Sequence, residues 1–145
     1  MKKNINNMEK RKYWIGIINE ENFEILLNNN LFGLKSDFQK KIKMLDIGDL
    51  IVFYILGKRI AGIFEITSKP YETNKEIFNR YLYPIRFNLK KLGIIKKKDF
   101  QNSLINNLSF IKNKTNWGGH FQGKAIIEIE EADFNKIRGY LKNEK

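Results

Sequence analysis

The sequence predicts an α+β fold, a small twisted barrel or half-barrel with helices packed around it. About six short runs rich in branched and aromatic residues are interspersed with four or five short amphipathic segments. Near the middle of the chain two of the apolar runs, Leu50–Leu56 and Arg59–Thr67, face each other across a tight Gly57–Lys58 turn and read as a hairpin. The length of 145 residues, 42% of them hydrophobic, suits one domain with a substantial core, and neither a repeat nor a linker divides it.

Taken in order, residues 1–11 form a basic, Asn-rich arm, and the domain is expected over 12–145. Lys12–Ile18 reads as a buried strand. Asn19 is a helix N-cap, followed by Glu20 and Glu21, where the helix dipole favours negative charge. Phe23, Leu26 and Leu27 recur at helical spacing and predict a helix over Glu20–Asn28. Asn28–Asp37 reads as a loop containing Phe32 and Gly33, and Phe38–Leu45 as a second short helix. Asp46–Asp49 is a turn, and the almost wholly apolar Leu50–Leu56 that follows is expected to be covered on both faces. After the hairpin, Ser68–Arg80 is a polar connection. Tyr81–Leu89 alternates as a strand, with Pro84 predicting an edge position. Phe100, Leu104 and Leu108 predict a helix within Lys98–Leu108. Asn113–Gly123 is an irregular loop with three glycines, Lys124–Ile129 a last strand, and Glu131–Leu141 a closing helix with its apolar stripe at Phe134, Ile137 and Leu141.

Lys and Arg total 27 against 16 Asp and Glu, a net charge of +11. Such a surface attracts polyanions, and nucleic acid is the commonest in the cytoplasm, the compartment expected for a chain with no apolar signal segment. Solubility alone is the plainer reading of the same lysines. No apolar run approaches the roughly 20 residues of a membrane span. There are no cysteines and one histidine. Thiolate zinc sites, iron–sulfur clusters and multi-histidine metal sites are therefore excluded, and no metal or cofactor is expected.

Few residues point to catalysis. Gly118–Lys124 resembles a phosphate-binding loop, but Ala125 stands where magnesium needs Ser or Thr, and a strand rather than a helix follows. His120 could act as an acid–base group, yet no orienting carboxylate accompanies it. The pairs Asp46/Asp49 and Glu128/Glu130 fit a turn and an exposed strand face. Aromatics are more informative. Most build core, but Phe32 and Trp117 fall in expected loops beside glycine and near Lys35, Lys112 and Lys114. A ring in a basic loop is what base stacking requires, at about 1–3 kcal/mol per base.

Three segments carry a family resemblance. They are Tyr13–Phe23 (YWIGIINEENF), Asp46–Tyr54 with Ile60–Ile66 (DIGDLIVFY and IAGIFEI), and Ser109–Lys114 with Trp117–Ala125 (SFIKNK and WGGHFQGKA). In this order they resemble EVE domains, small relatives of the YTH domains. The resemblance implies a PUA-like fold, a strongly curved β-barrel flanked by helices, and a non-catalytic reader that accommodates a modified base of DNA or RNA. It places Asn19, Asn22, Leu34, Lys35, Ser36 and Phe87 around the base, with Lys35 standing where YTH domains have a cage tryptophan. Phe32, Trp117 or Phe87 could supply the missing wall, and His120 is counted with this group. Lys112, Lys114 and Lys124 are expected on phosphate. Two alternatives stay open. One is an enzyme like the related ASCH domains, acting on RNA or a small amide, with Lys35 and Glu65 as the pair to inspect. The other is an assembly module with a vestigial pocket.

Overall fold

Tyr13–Ile18 puts branched and aromatic side chains on both faces and forms strand β1. The structure, a computed structural model, describes residues 11–57, 59–93, 96–99, 102–112 and 124–142. Asn19 ends β1 and caps helix α1, Glu20–Asn29, by accepting the Asn22 N–H at 2.8 Å. The helix closes at Asn30, whose left-handed backbone returns its N–H to the Leu26 carbonyl.

The chain then enters β2, Leu31–Leu34, instead of the expected loop. A 3-10 turn over Ser36–Phe38 leads into α2, Gln39–Ile42, so the second helix is shorter than expected. β3, Leu50–Ile55, and β4, Arg59–Ile66, form the central hairpin, its turn one residue longer than expected because Leu56 leaves the strand. β5 is Tyr71–Glu72 and β6 is Ile85–Lys91. The expected helix over Lys98–Leu108 divides into β7, Lys98–Asp99, and α3, Asn102–Ile105. β8, Ile126–Ile129, and α4, Glu131–Lys142, complete the described elements.

The strands make one curled, mixed sheet in the order β2-β6-β4-β3-β1-β8, with β5 beside β6 and β7 beside β4. β1 and β3 run parallel, and the other pairs are antiparallel. β6 is therefore interior, paired with β2, β4 and β5, which corrects the edge position expected from Pro84. Proline stands before the strand, where its missing N–H costs no ladder bond, and its carbonyl accepts from Thr73 N at 2.9 Å.

All six side chains of β3 are buried, as a strand covered on both faces requires. Ile51, Phe53 and Ile55 enter the core inside the curl with Trp14, Phe23, Leu26, Phe32, Phe64 and Phe87. Leu50, Val52 and Tyr54 enter a second core with Leu104, Leu108, Phe134, Ile137 and Leu141, under α3 and α4. Between β3 and β4 the pairing jumps from Val52–Ile63 to Phe53–Ala61. The extra residue is Gly62 at φ +74°, where a Cβ would also lie 2.5 Å from the Phe64 ring. Such a bulge sharpens twist and bend.

Asp49 ties the start of β1 to this hairpin. It is 1% exposed and accepts from Lys12 N, Trp14 Nε1 and Asp46 N, each at 3.0 Å, with Lys12 Nζ 3.7 Å away. The Asp46/Asp49 pair is therefore part of a structural turn, as its sequence position suggests.

Candidate functional site

Where β1 runs out into α1, the curl leaves a cleft of about 270 Å³, near the lower end of ligand pockets (about 300–1,000 Å³). Ile17, Ile18 and Asn19 come from the end of β1, Asn22 from the first turn of α1, and Phe32 and Gly33 from β2. Lys35 and Phe38 follow β2, and Leu56 stands at the hairpin tip. Lys124 and Ala125 precede β8, held by the Ile17 N–H on the Ala125 carbonyl at 2.8 Å. The remaining wall is Phe78, Arg80, Tyr81 and Tyr83, from the connection between β5 and β6.

This wall is a herringbone of rings. Tyr83 meets Phe78 edge-on at 5.7 Å between centroids and Tyr81 at 5.8 Å. Arg80 and Tyr83 have positive φ, +78° and +50°, an uncommon backbone for residues with side chains, and one associated with functional loops. Three devices hold the loop. Arg86 on β6, 2% exposed, donates from Nε to the Tyr83 carbonyl at 3.1 Å, and from Nη2 to the Leu82 carbonyl at 3.0 Å and to the Lys75 carbonyl. Its guanidinium lies 5.4 Å from the Phe78 ring centre. Asn22 clasps the backbone of Asn79, accepting its N–H at 2.7 Å and donating to its carbonyl at 3.2 Å. Gly33 lets the loop lie flat: a Cβ there would be 2.8 Å from Phe78 Cε2 and 2.9 Å from Tyr83 Cβ.

The electrostatics have one sign. Lys35, Arg80 and Lys124 line the cleft, and no carboxylate does so among the described residues. Lys35 Nζ sits 3.5 Å from the centre of the Tyr81 ring. Burial pushes the Tyr83 phenol above its ordinary pKa, with Tyr81 adding to the rise and Arg80 opposing it. Burial pulls Arg86 below its ordinary value, against a smaller opposing effect from Tyr71. Among the described residues no group of three or more His, Cys, Asp or Glu could hold a metal ion, and no helix is long and apolar enough to cross a membrane.

Comparison with known proteins agrees with this architecture. The family model of the EVE domain matches residues 12–140. The chain belongs to the EVE-domain family. A UPF0310 protein of Pyrococcus abyssi is 37% identical over 89% of this chain and 99% of its own length, and one of Pyrococcus horikoshii is 36% identical over 89% and 98%. Among solved structures, the YTH domain of Zygosaccharomyces rouxii MRB1, in complex with N6-methyladenosine RNA, superposes with a TM-score of 0.67 at 15% identity, over 94% of this chain and 90% of that one. Rpa0253 of Rhodopseudomonas palustris gives 0.61 at 12% identity, over 91% and 96%. At such identities the likeness is one of fold, and it bears out the PUA-like expectation.

Of the residues named from the sequence, this EVE domain brings Asn19, Asn22, Phe32, Lys35 and Lys124 to the cleft. Asn22 reaches it with half its amide already engaged by Asn79. Phe32 belongs to a strand rather than a loop and is 3% exposed, so it forms floor. Phe87 is fully buried behind it, edge-on at 5.5 Å, and does not line the cleft. Leu34 is buried in the core and Ser36 is exposed, both outside the lining. Lys112 borders a different cleft, with Arg11, Tyr13 and Glu131. Lys114, Trp117 and His120 lie outside the described residues. The Lys35/Glu65 pair is not assembled: Glu65 stands in register between Leu50 and Lys90, and Lys35 lies on Tyr81. Phe78, Arg80, Tyr81 and Tyr83 were placed by the sequence in a connection and a strand, and Arg86 had no role.

Proposed function

We propose that this EVE domain is a non-catalytic nucleic-acid reader that takes one unstacked nucleobase into the cleft. The observation that carries the reading is that the rings of Phe78, Tyr81 and Tyr83 line one pocket together with Asn19, Asn22 and three cations, Lys35, Arg80 and Lys124. A ring wall offers stacking that any base can use. An amide edge can both donate and accept: Asn19 keeps its N–H₂, and Asn22 keeps one N–H and one lone pair after its bonds to Asn79. Lys124 and Arg80 at the rim suit the flanking phosphates, and the net charge of +11 suits the rest of the strand. The superposed YTH domain of Z. rouxii MRB1 is in complex with N6-methyladenosine RNA, which supports a modified base as the ligand and RNA as a partner. A methyl group against Phe38, Leu56 or the rings would add about 1–3 kcal/mol.

The test is a polarisation titration with short single-stranded RNA and DNA, carrying one N6-methyladenine, one 5-methylcytosine, the unmodified base or an abasic site. Tyr83→Ala and Lys124→Ala are run beside the parent at two salt concentrations. The proposal expects a modified strand to bind more tightly than its abasic control, and Tyr83→Ala to abolish that preference. Lys124→Ala should weaken all strands alike and reduce the salt slope by about 0.7 per lost phosphate contact. Binding that ignores the base and survives Tyr83→Ala would overturn it.

A further inference from the structure

We propose that Lys35 makes the pocket selective for neutral nucleobases over positively charged ones, an inference that rests on the base-reading function above. Aromatic pockets that capture cations leave ring faces open to them. Here the face of Tyr81 is already covered by the protein's own ammonium, Lys35 Nζ, 3.5 Å from the ring centre. Lys35 makes no ion pair among the described residues. Arg80 and Lys124 add two further cations to the lining, which has no carboxylate among the described residues to offset them.

A neutral base can use this arrangement. The lysine stem is flexible, so the ammonium swings off Tyr81 and donates to a carbonyl oxygen or ring nitrogen of the base. The vacated face of Tyr81 then stacks on the base. A base alkylated on a ring nitrogen to give a cation, such as N1-methyladenine or 3-methylcytosine, meets three like charges and has lost an acceptor at the alkylated position. Both effects have the same sign. Tyr81 is 52% exposed, so solvent screens the repulsion, and we expect discrimination of about tenfold rather than exclusion.

Isomeric probes separate charge from methyl count. Single strands carrying N6-methyladenine or N1-methyladenine, and 5-methylcytosine or 3-methylcytosine, are titrated at pH 7 beside an abasic strand. The proteins are the parent, Lys35→Met, which keeps an unbranched stem without charge, and Lys35→Glu. The parent should bind the neutral isomer of the recognised pair about tenfold more tightly. Lys35→Met should narrow that ratio to about threefold, with Arg80 and Lys124 still in place, and Lys35→Glu should remove it. Equal binding of both isomers by the parent overturns the role of Lys35 and leaves the base pocket standing. So does a preference for the neutral isomer that neither substitution alters, because shape or the other two cations, Arg80 and Lys124, would then be its cause. If no base-bearing strand binds better than the abasic one, the base-reading function itself fails and this inference with it.

Discussion

Replacing Arg86 by methionine tests whether one buried guanidinium shapes the pocket wall. The side chain is 2% exposed and its named hydrogen-bond partners are backbone carbonyls, those of Lys75, Leu82 and Tyr83. A hydrogen bond from a charged group is worth about 1.5–3 kcal/mol net, so three could reach about 5–9 kcal/mol if all acceptors were left unpaired. Two effects reduce this. The site disfavours the cation, as its lowered pKa shows, so removing the charge relieves desolvation. The freed carbonyls lie in an exposed loop and can turn to water. We therefore expect a loss of about 2–4 kcal/mol and a fall in Tm of roughly 5–15 °C. Backbone amides of residues 75–83 should lose hydrogen-exchange protection before the strands do. Arg86→Lys keeps a charge but cannot fork to three carbonyls, and should fall between parent and methionine. A Tm change below about 2 °C with loop exchange unaltered would refute the reasoning, since the loop would then be held by something else.

Gly33→Ala should push Phe78 and Tyr83 outward at a cost of about 1–3 kcal/mol and weaken nucleic-acid binding, read by urea unfolding and a binding titration on the same sample. Asn22→Leu removes both bonds to Asn79; loop exchange should rise while α1, capped by Asn19, stays intact by circular dichroism. Asp49→Ala leaves Lys12 N, Trp14 Nε1 and Asp46 N without their acceptor and should cost about 3–5 kcal/mol in urea, far more than removal of the exposed Asp46. The pH profile has a determinate sign at the alkaline end. Burial raises the pKa of Tyr83 and, with Glu131, that of Tyr13. For Lys12, burial alone would lower the value, but its hydrogen bond to Asp46 and the charges of Asp49, Asp46 and Glu128 outweigh it, and the net shift is upward. Each group's stabilisation is fully present below its unfolded pKa, about 10 for Tyr and 10.4 for Lys, and is lost as pH rises through the folded value. Unfolding free energy should therefore decline above about pH 10, and Tyr83→Phe should flatten part of that decline.

How far the sequence reveals this molecule depends on what each segment had to signal. β1, α1 and the central hairpin were legible because long apolar runs, a cap at Asn19 and a Gly57 turn act within a few residues. β2 was hidden because its four residues include Gly33 and follow an Asn-rich helix end; its strand character comes from pairing with β6, a long-range fact. Pro84 misleads for a related reason: it precedes an interior strand, and the alternation of Tyr81–Leu89 runs through it. The strand side of the pocket was half legible. Asn19, Asn22, Phe32 and Lys35 came from family resemblance and local context, but Phe78, Arg80, Tyr81 and Tyr83 did not. The positive φ values of Arg80 and Tyr83 leave no sequence mark, because neither is Gly or Asn. Arg86 leaves no signal either: it stands at the polar position of the alternation Ile85, Phe87, Leu89, and its burial comes from the loop that it holds by the Lys75, Leu82 and Tyr83 carbonyls.

On the proposed function a base enters the pocket by itself, apart from the phosphates that a +11 protein would bind anyway. Free nucleosides separate the two, because they carry no phosphate. The deciding measurement is an NMR titration with N6-methyladenosine and with 5-methylcytidine, following the ring protons of Phe78, Tyr81 and Tyr83. A base-binding pocket should give saturable shifts on these three rings and on the side-chain amide of Asn19, abolished by Tyr83→Ala. Shifts confined to other surfaces, or none up to millimolar nucleoside while oligonucleotides still bind, would contradict it and leave charge as the sole basis of binding.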